Sequence, residues 1–415
     1  MVRLRGFKER TIVRDAVKAL EGVRFKRVDS EIVEITRACG RILAEDIIAK
    51  YNVPHFDRSA VDGYAVVAED TFGANLNNPV MLKIVGEVEM GEEPIEMSRG
   101  TAVRVSTGSA LPKGANAVVM LEYTKEVGEF VEIYRPVVPF ENVSREGEDI
   151  KAGEVVLKAG EILQPQDIGV LASLGYAKVK VLKKPRVVII STGNELVEIG
   201  EELEVGKVVN SNAYMLFCAL KMYNCEPSVY GIVRDDFDEL KKAIIQALSV
   251  GDCVITTGGT SVGKGDLVPE VVKEIGKIVF HGISIKPGMP TGLGVIDGKP
   301  VLMLSGFPVA CLIGFELIFP HVLAKLTGVR VVKRRGEGVK AKLKRRIPSK
   351  AGVRTFARVI YKDGFAEPLM TSGSGILTSM VRANGIVVVP EEKEGFEEGE
   401  EVNVVLVRDL IEEVT

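Results

Sequence analysis

The sequence predicts a multidomain protein. A central three-layer α/β domain with a mostly parallel sheet is joined by a β-rich inserted domain and a C-terminal β-barrel-like domain. Three observations predict this. A chain of 415 residues is too long for one core, and length alone sets a prior of about three domains. Between residues 187 and 257, short wholly apolar runs alternate with helical stretches, the pattern of parallel strands covered on both faces. On either side, Val-rich runs of alternating polarity are punctuated by Gly and Pro, which reads as β structure.

The elements follow in order. The first fifty residues predict a helix around Val13 to Leu20, then short strands at Ile32–Ile35 and Ile42–Ile48. Residues 51–140 alternate as in Met81-Leu82-Lys83-Ile84-Val85 and form the β-rich unit. Asp167 to Leu174 reads as a short helix. After Pro185, Val187–Ile190 is a buried strand, Ser211–Tyr223 a helix and Ser228–Ile232 a strand. The helix Asp236–Leu248 and the strand Cys253–Thr257 complete the alternation, and β patterning returns from about residue 330.

Composition narrows the function classes. A formal net charge of −3 with 27% charged residues argues against a nucleic-acid binder, which carries a basic excess. The clusters Lys333–Arg335 and Lys344–Arg346 adjoin alternating apolar residues and read as solvated strand ends. Cys39, Cys218, Cys225, Cys253 and Cys311 show no CxxC spacing, and their odd number, spread and mostly apolar surroundings suit reduced thiols in a reducing compartment. No signal peptide opens the chain, so a cytoplasmic location is expected. Val301–Ala324 is apolar but contains Gly306, Pro308, Glu316, Pro320 and His321, which favours a buried strand-turn-helix over a membrane span.

Ligands of a parallel sheet bind beyond the carboxyl ends of its strands, and three loops leave strands there. In Ser191–Leu196, Thr192 and Gly193 let a ligand approach the backbone, and Glu195 offers oxygens to a cation. A tight turn with an exposed glutamate explains that loop equally well. In Gly231–Asp236, Asp236 with Glu239 is a helix-capping pattern, which leaves Asp235 to hold a metal. The third loop, Thr256–Asp266, holds four glycines, four hydroxyls, a lysine and an aspartate in eleven residues. Backbone N–H groups of Gly258, Gly259, Thr260 and Ser261 would form a concave anion site there. The GxxxxGK[ST] spacing is absent, so it is not a P-loop. Mg²⁺ binds through one or two carboxylates plus substrate phosphates, and Asp235, Asp266 and Glu195 are the candidates. Lys286, in Lys286-Pro287-Gly288-Met289-Pro290, presents a cation to the anion. Ser305-Gly306-Phe307-Pro308 adds a turn at the start of a buried helix.

In order and spacing these loops resemble the molybdopterin molybdenumtransferase family, known as MoeA in bacteria and as the gephyrin E domain in animals. Pro54–Ala65 is similar to the family's PxFDxSxMDGYA, and Val105–Gly108, Gly147–Ile150 and Ser374–Asn384 follow in order. The resemblance implies four domains: 1–50 with 141–181, an inserted 51–140, an α/β pterin-binding 182–329, and 330–415. It implies a homodimer acting on adenylylated molybdopterin. Mg²⁺ or another divalent cation would sit among Glu195, Asp235 and Asp266, and molybdate or tungstate would be inserted as AMP leaves. Asp57, Asp62, Thr107 and Asp149 would face the cleft from outside the α/β domain, and Arg354 matches an arginine near the oxyanion. Four positions depart from the pattern: Met289 replaces a lysine, and Ser305, Phe307 and Ala310 replace a proline, an asparagine and a serine. Losing the lysine and the serine hydroxyl removes donors for a doubly charged ligand. A non-catalytic pterin-binding or scaffold paralogue is the reading those positions favour. A molybdopterin adenylyltransferase is a third reading, and such an upstream enzyme is also a candidate partner.

Overall fold

The computed structural model describes residues 11–260, 267–329, 338–370 and 373–408. They fall into two compact units, one built from the chain up to Ser30 and from Leu182 onward, the other from Glu31–Val181.

In the first unit, the strand Arg186–Thr192 is buried from Val187 to its end. Side chains alternate across a strand, so Val187 and Ile189 enter one core while Val188 and Ile190 enter another. The six-stranded sheet runs Glu226–Val233, Arg186–Thr192, Cys253–Thr257, Lys299–Leu304, Gly292–Ile296, Lys277–His281. Its first four strands are parallel, and Gly292–Ile296 runs antiparallel to both of its neighbours. The helices Ser211–Met222 and Pro308–Thr327 cover one face, and Phe237–Val250 with Leu267–Ile275 cover the other. Asp236 caps its helix as expected, accepting from the Asp238 and Glu239 N–H groups.

The helix Pro308–Thr327 is long and apolar enough to cross a membrane by length and composition. It is instead a core helix: Cys311, Phe315, Phe319 and Val322 are fully buried, and the Phe315 and Phe319 rings stack at 4.8 Å. Beyond it, the strands Val339–Leu343, Arg354–Lys362, Phe365–Met370, Gly385–Val389 and Glu401–Leu406 pair into a closed ring. This is the expected barrel.

One expected boundary is corrected. The helix Val13–Glu21 does not join residues 141–181. Its apolar stripe, Val13, Ala16 and Leu20, has helical spacing and lies in the α/β core. Thr11 N–H donates to the Gly282 carbonyl (3.1 Å) and Val28 N–H to that of Leu326 (3.0 Å).

The second unit has a six-stranded mixed sheet, ordered Ala117–Met120, Gly63–Val66, Thr101–Val105, Val80–Val88, Phe130–Ile133, Thr124–Val127. A separate core gathers Leu43, Ile47, Leu163, Leu171 and Val179. The expected strand Ile42–Ile48 forms only at Ile47–Ile48, opposite Val155–Leu157, because Ile42 and Leu43 make single bridges to Ile162 and Val181 instead.

Candidate functional site

The order of the parallel strands reverses between Arg186–Thr192 and Cys253–Thr257, and a crevice opens beyond the carboxyl ends at such a point. A cavity of about 970 Å³ lies there, of a size that takes a small-molecule ligand. Thr192, Glu195, Gly258, Gly259 and Thr260 line it from the loops after these strands. Lys286 and Ser305 line it from the next loops.

One glycine is required here. Gly258 sits at φ +90°, and a Cβ on it would lie 2.2 Å from the Thr192 carbonyl oxygen. Only a glycine lets those loops touch. A Cβ on Gly193 would lie 2.6 Å from Glu195 Oε1, so the glutamate folds back over bare backbone. Thr192 Oγ1 donates to Asp235 Oδ1 (2.9 Å), and Asp235 N–H donates to Asn194 Oδ1 (3.3 Å). Asp235 thus braces the first loop and does not itself line the cavity. Thr260 Oγ1 reaches the Leu304 carbonyl at 3.3 Å, fixing the third loop to the neighbouring strand. Asp266 and Ser261 lie outside the described residues. Among the described residues no three His, Cys, Asp or Glu side chains group as metal ligands.

The barrel supplies another wall. Ile285 and Lys286 pair in parallel with Arg354 and Thr355, which sets the lysine loop against the barrel. Lys350, Val353, Thr355, Ser374 and Leu377 face the cavity from that side, and Val309 N–H donates to the Ser374 carbonyl (2.9 Å). Arg354 does not line the cavity. Its guanidinium pairs with Glu391 at 2.9 Å.

Sequence reasoning passed over Asn210, Ser211 and Asn212, which line the cavity where the helix Ser211–Met222 begins. Ser191 Oγ donates to Asn210 Oδ1 (2.8 Å), and Asn212 Nδ2 donates to the Gly306 carbonyl (2.7 Å). The N–H groups of a first helical turn lack partners and favour negative charge. Three small polar residues directly after Val208–Val209 were the available signal. Lys350 had none, being one lysine in a polar turn.

The remaining candidates belong to the second unit. The antiparallel register of Gly63 with Val105 brings Asp62 beside Thr107. Thr107 donates to Asp62 Oδ1 through its N–H (2.7 Å) and its hydroxyl (3.0 Å). The backbone bond first, then the hydroxyl, holds the Asp62 carboxyl below its usual range. Asp57 accepts the Glu146 N–H at 2.7 Å. Asp149 is exposed, and its N–H donates to the Val53 carbonyl at 3.1 Å.

The fold and the cavity together define a class: a multidomain α/β protein with a glycine-lined pocket at its switch point, walled by a β-barrel. Three family models match along the chain. They are the MoeA N-terminal region (domain I and II) at residues 9–175, the probable molybdopterin binding domain at 188–325, and the MoeA C-terminal region (domain IV) at 340–407. A molybdopterin biosynthesis protein of Methanocaldococcus jannaschii is 44% identical over 384 residues, 91% of this chain and 92% of its own. A molybdopterin molybdenumtransferase of Staphylococcus aureus is 36% identical over 386 residues, 90% of each chain. The crystal structure of a molybdopterin biosynthesis MoeA protein from Pyrococcus horikoshii matches with a TM-score of 0.82 and 40% identity, over 96% of this chain and all of that one. The chain belongs to the MoeA family of molybdopterin molybdenumtransferases, and it is a transferase of molybdenum cofactor biosynthesis.

Proposed function

We propose that the cavity binds adenylylated molybdopterin and that the enzyme places molybdate or tungstate on its dithiolene as AMP leaves. One observation carries this reading: the Gly258–Thr260 loop and the Asn210–Asn212 helix start line one cavity. Both offer backbone N–H groups to phosphate. Leu196, Val208 and Val209 give the cavity an apolar side for the pterin ring. Asn210 Nδ2 and Asn212 Oδ1 are buried without a partner among the described residues. An unmatched buried donor and acceptor are costly, and a polar ring edge would satisfy them after a small side-chain movement.

Glu195 and Asp235 are oxygen donors of the kind Mg²⁺ takes, and Thr192, hydrogen-bonded to Asp235, adjoins Gly193, over which Glu195 folds. With Asp266 they would hold a divalent cation that offsets charge on the phosphate as its bond to the leaving AMP breaks. Lys286 would hold the oxyanion. The reading includes a homodimer, a role for Asp57, Asp62, Thr107 and Asp149 in the same reaction, and an upstream adenylyltransferase as the source of substrate. The free cysteines support a reducing, cytoplasmic location. A pterin-binding scaffold is the second reading, favoured by Met289, Phe307 and Ala310, which all line the cavity.

The test is AMP release from adenylylated molybdopterin with Mg²⁺, molybdate and tungstate being supplied separately. Release that depends on one oxyanion and falls roughly a hundredfold in Asp266→Asn, the scale of losing one transition-state charge contact, is the expected result. Tight pterin binding with no release under either oxyanion would establish the scaffold.

A further inference from the structure

The charged residues lining the cavity, among those described, are Glu195, Lys286 and Lys350. The two lysines come from different domains. Lys286 is the last residue of the short strand Ile285–Lys286, and Lys350 belongs to the turn that precedes the barrel strand Arg354–Lys362.

That turn is pinned on several sides. Val353 N–H donates to the Lys350 carbonyl (3.1 Å), Gly352 N–H to that of Glu391 (2.8 Å) and Ser349 N–H to that of Glu394 (2.7 Å). The hydroxyls of Ser349 and Thr355 are 2.7 Å apart, and Thr355 is the residue in register with Lys286. The backbone beneath Lys350 is therefore fixed to the same strand pair that carries Lys286. Its ammonium forms no ion pair with a described residue. Arg354, by contrast, is occupied by Glu391, whose side chain is only 12% exposed.

A tetrahedral metal oxyanion carries two negative charges. Neutralising it takes two cations, and a lysine serves as a compact point charge without demanding bidentate geometry. Lys286 supplies one. Met289, in the same loop and lining the same cavity, supplies none. Arg354 would have to leave a largely buried carboxylate to supply another, and breaking such a pair is costly.

We infer that Lys350 is the second oxyanion-binding cation of this site, so that the dianion docks between the α/β domain and the barrel, with Lys286 on one side and Lys350 on the other. The inference rests on the oxyanion-transfer reading above and assigns a residue to it.

The experiment uses the full-length protein. It measures AMP release against molybdate and tungstate concentration, and separately the affinity for adenylylated molybdopterin. The variants are Lys350→Ala, Lys350→Arg and Lys350→Ala combined with Met289→Lys. Lys350→Ala should raise the oxyanion concentration for half-maximal release about tenfold or more, the factor of one lost charge-assisted contact. Pterin affinity should change less than about twofold, the contact being separate from the pterin. Lys350→Arg should recover most of the loss, and so should Met289→Lys, which returns a cation to the cavity from the other domain. A wild type that responds to oxyanion while Lys350→Ala has the same concentration dependence overturns the inference and leaves the transfer reading standing. Equal loss of pterin and oxyanion binding, unrelieved by Met289→Lys, makes Lys350 structural and also overturns it. A wild type that binds pterin yet shows no oxyanion response overturns the transfer reading and this assignment with it.

Discussion

An alanine at position 258 would carry its Cβ to 2.2 Å from the Thr192 carbonyl on a backbone already at φ +90°. Position 306 is the natural contrast, since a Cβ there meets only Gly258 backbone atoms, Cα at 3.5 Å and N at 3.9 Å. Gly258→Ala should therefore lower stability by more than about 2 kcal/mol, through strain and contact together. Gly306→Ala should stay within about 1 kcal/mol. Denaturant midpoints of the two variants check both, and equal midpoints would count against the loop contact. Residues of this kind were legible in the sequence because glycines and hydroxyls directly after an apolar strand have few other uses. Asp235 was legible only as a carboxylate. Its bond to Thr192 depends on two strand ends lying side by side, which no local pattern states. Lys350 and Asn212 were illegible for a related reason: a lysine in a turn and an asparagine at a helix start are ordinary until a cavity stands in front of them.

Elements were read most faithfully where burial is complete. Cys253–Thr257 forms with the expected bounds, and Arg186–Thr192 extends Val187–Ile190 at both ends, because a strand covered on both faces must be apolar throughout. The Asp236 cap was also readable, since it rests on residues three apart in sequence. Asp236→Ala should cost about 1 kcal/mol, while Asp236→Asn should be nearly neutral. The midpoint of thermal unfolding measures the difference, and identical values for the two variants would show that the cap contributes nothing. Ile42–Ile48 does not form the continuous strand its apolar residues predict, because they are shared among bridges to separate partners. Periodicity records that a residue is buried, not which element buries it.

At the scale of the molecule, the four-part division came from resemblance, and composition alone implied only an α/β domain between β-rich flanks. What neither conveyed is the destination of the first helix. Leu20 is 2% exposed within the α/β core, so Leu20→Ala should destabilise that unit by about 2–5 kcal/mol. Hydrogen exchange should then show faster opening of Arg186–Thr192, with Gly63–Val66 keeping its protection as a separate foldon. Uniform loss across both sheets would mean the units unfold as one. The same helix imposes an order of events during synthesis. Lys325 Nζ donates to the Glu21 carbonyl at 2.6 Å, so the groove that receives the helix is finished only after residue 325 has emerged. At roughly 5–20 residues per second, the helix waits on the order of 15–60 s, its apolar stripe uncovered while the intervening unit is made. In a nascent chain of this protein that helix face is thus covered only when the last core helix of the α/β domain leaves the ribosome.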